Sequence, residues 1–203
     1  LRLGRRAVEL VGEQGKGAGD PGRVITFDRC KIRDNRGTGL LASPSTDTIV
    51  TIRRSEITGN DSSKPPPGPG TDGVPHAGGV HVNSDGVQIV ETKIVGNRTT
   101  SVGGGVYFET LIRDVTRNTI VNSLIASNSA AVHGGGIASG SASFSVLNST
   151  IVGNSAPIGA GVWLDPFLPS FNPTVSIVNT AIVGNTAPLG SAIALETFAT
   201  PPT

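Results

Sequence analysis

Five segments of this sequence share one local pattern and together carry the residues best suited to chemistry. They are Val80-His81-Val82-Asn83, Val106-Tyr107-Phe108-Glu109, Ile137-Ala138-Ser139-Gly140, Val162-Trp163-Leu164-Asp165 and Ile193-Ala194-Leu195-Glu196, and each follows a glycine-containing run. Their first residues are apolar and their third mostly so, an alternation of period two that marks a strand with one buried face. The second and fourth residues then point outward. One outward column reads His81, Tyr107, Ala138, Trp163, Ala194, and the other Asn83, Glu109, Gly140, Asp165, Glu196. The only tyrosine and the only tryptophan of the chain fall in the same column. Aromatic rings offer flat apolar faces to pyranose rings, and carboxylates accept hydrogen bonds from hydroxyls. Tyr107, Trp163, His81, Glu109, Asp165 and Glu196 are therefore the expected ligand-binding residues, for a polysaccharide or a cell-surface glycan.

Catalysis is a second reading of the same residues. Asp165 and Glu196 hold matching positions in consecutive segments. On neighbouring strands their carboxyls could come within ~5 Å, the separation used by retaining glycosidases. A polysaccharide lyase would instead need carboxylates for Ca²⁺ and a basic residue as proton acceptor. Glu109, Asp114, Arg113 and Arg117 supply those types, and His76 is another base on a Pro/Gly loop. In an enzyme, Asp165, Glu196 and Glu109 would carry the reaction. Against this, paired carboxylates arise readily by chance wherever similar segments stack, and no family catalytic motif stands here. Tyr107 and Trp163 could also simply cover the surface, with Phe167, Leu168 and Phe171 packed over Trp163. The balance leans away from an enzyme. No cofactor or metal is expected, and Ca²⁺ has no motif to support it.

What must position these segments is an internal repeat. Asn35, Asn60, Asn97, Asn128, Asn154 and Asn185 are each preceded by Ile three residues earlier, from Ile32 to Ile182. Five residues earlier stands Cys30, Ser55, Thr92, Ser123, Ser149 or Thr180, and eight earlier an apolar residue. The asparagines are spaced by 25, 37, 31, 26 and 31 residues. Each unit holds three short strands separated by Asn, Gly and Pro turns. Such a unit cannot bury its own apolar face, but stacked copies can. The expected fold is all-β, a parallel β-helix of six or seven coils, with strands ~4.8 Å apart within each face. It forms one domain over residues 1–203, with clear repeats at 24–195, an N-terminal coil or cap at 1–23 and a tail at 196–203. Insertions at Asp61–Ala77, Thr110–Arg117 and Pro166–Pro173 leave from the two corners beside the glycine-run face and could wall a groove along it.

The pattern Ile-x-x-Asn followed by Gly134-Gly135-Gly136-Ile137 resembles the repeats of polymorphic outer-membrane proteins. It is also similar to the right-handed β-helix repeats of large secreted bacterial proteins. The resemblance implies a right-handed solenoid, exported or at the bacterial cell surface, in a structural or adhesive role. The same fold carries polysaccharide lyases, hydrolases and epimerases, so fold does not choose among them.

The repeated residues themselves read as structure. Asn at one corner of every coil is what a ladder of paired amides requires. Asn60, Asn97 and Asn148 also open glycosylation sequons, with Asn148 at a different corner. Cys30 replaces a small hydroxyl residue and has no histidine partner in the pattern, so a nucleophilic role is not expected. The glycine triplets lack the Lys-Ser/Thr of a phosphate loop and open strands, not helices.

Composition closes off other classes. Sixteen basic and 15 acidic residues leave a net charge of +1 with no basic run longer than two, unlike a nucleic-acid binder. No apolar window reaches the length of a transmembrane helix. One cysteine excludes an intrachain disulfide and a CxxC metal site. Aromatic residues make up only 4%, so the core must be aliphatic. Leu1 is not an initiator, which is read as a processed chain or a fragment. Unpaired strand ends could stack between chains, making a self-assembling filament the third function class.

Overall fold

The computed structural model describes residues 8–11, 23–43, 48–63, 77–83, 86–109, 118–165 and 173–196. Their strands form three long parallel sheets that wind around one core, as the repeat requires, and a two-stranded parallel sheet of Arg98–Thr99 and Ser129–Ala130. The first sheet has seven strands: Val8–Val11, Leu40–Ser43, Val80–Val82, Val106–Glu109, Ile137–Gly140, Val162–Asp165 and Ile193–Leu195. The second runs through Arg23–Asp28, Thr48–Arg53, Val87–Val90, Asn118–Val121, Phe144–Leu147 and Val175–Val178. The third is built from Lys31–Arg33, Glu56–Thr58, Lys93–Val95, Leu124–Ala126, Thr150–Val152 and Ala181–Val183. Each strand pairs with the equivalent strand of the next coil, so the chain is a parallel β-helix.

The core is a stack of columns. Leu40, Val80, Val106, Ile137 and Val162 descend the inside of the first sheet, all fully buried. Ile57, Ile94, Ile125 and Ile151 do the same in the third. Phe108 and Phe144 stack with centroids 4.8 Å apart, and the small buried residues Ser139 and Ala142 leave room for them.

Two polar ladders run beside this core. The Nδ2 of Asn97 donates to Asn128 Oδ1 at 3.0 Å and to the Ile57 carbonyl at 2.9 Å, while its backbone N–H donates to the same Oδ1. The motif repeats from Asn35 to Asn185. Asn60, Asn97, Asn128 and Asn154 are almost fully buried. The first two sequons are therefore sealed inside the coil stack, whereas Asn148 is exposed and pairs with Asn179. A second ladder uses hydroxyls: the Thr92 N–H donates to Ser123 Oγ, whose hydroxyl donates to the Val121 carbonyl. Cys30 heads this column, half-buried, its Sγ 3.6 Å from the Asp28 carbonyl.

Turns between the sheets use left-handed backbone. Arg54, Glu91, Asn122, Asn148 and Asn179 have φ near +50° at one corner. Gly59, Gly96, Gly153 and Gly184 serve the next. Before the first sheet, glycine is needed for close approach: a Cβ on Gly136 would lie 2.6 Å from the Gly161 carbonyl oxygen of the following coil.

Replacing Asn128 by Ala strands donors and acceptors on both neighbouring coils. It should lower unfolding free energy by roughly 3 kcal/mol, measured by urea denaturation. Cys30→Ser restores the column's usual hydroxyl and should change stability by less than about 0.5 kcal/mol.

Candidate functional site

The outward face of the first sheet carries both expected columns in register. His81 pairs with Tyr107, Tyr107 with Ala138, Ala138 with Trp163, and Trp163 with Ala194. Glu109 pairs with Gly140 and Gly140 with Asp165. Glu196 continues that column, its N–H bonded to the Leu164 carbonyl. Tyr107 and Trp163 thus stand two coils apart.

Their rings do not stand up as open platforms. Trp163 is only 6% exposed and stacks on His133, with centroids 4.5 Å apart and planes 15° apart. Tyr107 stacks on His81 at 5.3 Å and leans onto the next coil, where a Cβ on Gly140 would lie 2.8 Å from its hydroxyl. The small residues at 138 and 140 make this possible. The structure differs from the expectation of ring faces open to a sugar: a histidine stacks on one face of each ring, and the Trp163 indole N–H is itself buried. His133 was absent from the expected set. Its signal was its place in Val132-His133-Gly134, just before a glycine run and one coil ahead of the tryptophan.

The electrostatics are uneven along the acidic column. Glu109 Oε2 lies 2.8 Å from His81 Nε2, in a half-sheltered pair. Asp165 has no such partner for its buried Oδ1. Burial raises its affinity for a proton, the Glu196 carboxylate raises it further, and His133 opposes the effect. Burial also pushes the Tyr107 phenol up to about 12, helped by the charges of Glu109 and Asp165.

Four buried polar atoms lack a hydrogen-bond partner among the described residues: Asn83 Oδ1, His133 Nδ1, Trp163 Nε1 and Asp165 Oδ1. Three belong to outward positions of this sheet, and the fourth to the histidine stacked on one of them. Buried polar groups are ordinarily paired, so their concentration on one face sets it apart from the rest of the described residues.

Several expected contributors lie outside the described residues: His76, Arg113, Asp114, Arg117, Phe167, Leu168 and Phe171. So do most of the three insertions. Among the described residues, no group of three His, Cys, Asp or Glu side chains could hold a metal ion.

Tyr107 is the only tyrosine, so tyrosinate absorbance reports it alone. Its titration midpoint should fall near 12, not 10. Glu109→Gln and Asp165→Asn should each lower it partway, leaving the larger burial effect. Because the folded chain keeps this proton longer than the unfolded chain, stability should fall as pH rises from about 10 to 12.

A family model for the right handed beta helix region matches residues 15–200. No curated protein and no solved structure matches the chain. The matched span takes in every described strand except Val8–Val11, the asparagine ladder and both outward columns, and the chain belongs to the right-handed β-helix family.

Proposed function

We propose that this β-helix is an exported, surface-located structural or adhesive protein that holds a polysaccharide along the outer face of its first sheet. The observation that carries the reading is the set of unpartnered buried atoms at Trp163, His133 and Asp165. An indole N–H donates, a carboxylate oxygen accepts, and an imidazole nitrogen can do either. A run of sugar hydroxyls matches that mixture. The parallel register supports a linear ligand, because equivalent positions recur every ~4.8 Å along the rod. Among the described residues no helix is long and apolar enough to cross a membrane. Location at the surface rests on the resemblance of the repeats to those of exported bacterial proteins.

A hydrolytic reading is favoured by one observation, the raised proton affinity of Asp165 beside Glu196. Asp165 would then serve as the acid and Glu196 as the nucleophile. Binding alone is the stronger reading, because a binder needs the polar atoms already described and nothing further.

The test is a fluorescence titration of Trp163, the chain's only tryptophan, against a panel of soluble polysaccharides. A saturable change with one class is expected, with no new reducing ends in the product. Asp165→Asn should weaken binding by about tenfold, the scale of one hydrogen bond to a charged group. New ends that vanish in that variant would move the reading to a hydrolase. No change with any polysaccharide would leave Trp163 as packing and the rod as purely structural.

A further inference from the structure

We propose that this face selects a cationic amino sugar, a hexosamine unit whose ammonium group lies between the Asp165 and Glu196 carboxylates while the Trp163 indole N–H binds an oxygen of the same chain. The inference rests on the glycan reading above and names its substrate class.

Charge is the first ground. None of the described lysines and arginines lies in the first sheet; they lie in the other sheets and in the turns beside them. Within the first sheet the fourth-position column presents Glu109, Asp165 and Glu196, with glycine at 140. Glu109 already has His81 at 2.8 Å. Asp165 and Glu196 face each other across adjacent coils, and the charge of Glu196 disfavours ionisation of Asp165. Two like charges held side by side are relieved by a cation placed between them. An anionic uronate would meet the opposite.

Unmet bonding is the second ground. Trp163 is more than nine-tenths buried, its Nε1–H has no acceptor, and it precedes Asp165 by two residues on the same face of the same strand. Asp165 Oδ1 is buried without a donor. A donor and an acceptor separated by one strand repeat of roughly 7 Å match a group that both donates, as an ammonium does, and accepts, as a ring or hydroxyl oxygen does. His133, stacked on the indole, favours the ionised form of Asp165, in the same sense as a bound cation would.

The experiment compares four probes on the intact chain by Trp163 fluorescence and calorimetry at mildly acidic pH. They are a glucosamine oligomer, its fully N-acetylated counterpart, an oligogalacturonate and calcium chloride alone. The glucosamine oligomer is expected to bind at least about tenfold more tightly than the acetylated one, the scale of one charge-assisted hydrogen bond. Glu196→Gln should erase most of that preference, lowering the affinity for the glucosamine oligomer at least about fivefold more than that for the acetylated one. Calcium should neither bind nor compete. Equal affinity for the two oligomers, or tighter binding of the galacturonate, overturns the charge selection while keeping the glycan reading. Saturable calcium binding that displaces the glucosamine oligomer replaces the ammonium with a metal ion and overturns the proposal. No saturable binding of any oligomer overturns both readings together.

Discussion

Everything in this molecule depends on each coil offering the next one an identical set of backbone partners. The asparagine column enforces that identity. Each interior Asn accepts from the backbone and side chain of one neighbour and donates to the other, with a further bond to an isoleucine carbonyl. A coil that slipped by one residue would turn its aliphatic columns outward and leave these buried amides unpaired at once. The glycines before the first sheet belong to the same constraint, because carbonyls of successive coils leave no room there for a Cβ.

With the inside and the corners committed in this way, variation is confined to outward positions. The second and third sheets spend theirs on surface charge in the early coils, where Asp28 is held ionised by Arg54, and on aliphatic residues such as Val178 and Val183 in the late ones. The first sheet is different. Its outward residues are aromatic, imidazole and carboxylate, they lie down against one another in stacked pairs, and they leave polar atoms unsatisfied. The same features set the proton affinities of Tyr107 and Asp165, so packing and electrostatics on this face have one origin.

Much of this was legible in the residues. The Ile-x-x-Asn pattern specified the coil, its third-sheet strand and its ladder. The alternation after each glycine run specified which residues share a column, and every pairing from His81 to Ala194 follows it. The roles of Asn60 and Asn97 as buried ladder members rather than sugar acceptors were also readable, because a residue required at every coil cannot be free at two of them. His133 was harder to see, since it sits in no repeated chemical column and joins the site only through its stack on Trp163.

The sequence by itself determined the solenoid, its register and the membership of each column, because strand periodicity and the repeated asparagine are properties of order along the chain. The tertiary structure decided how the outward side chains lie. Tyr107 folds over Gly140, Trp163 closes on His133, and Glu109 turns to His81 rather than toward Asp165. Those choices depend on rotamers and on the volume left by residues of adjacent coils, 25 to 40 positions away in several contacts. No local pattern encodes that volume, so the face that looked like a row of open rings instead has a histidine stacked on each ring.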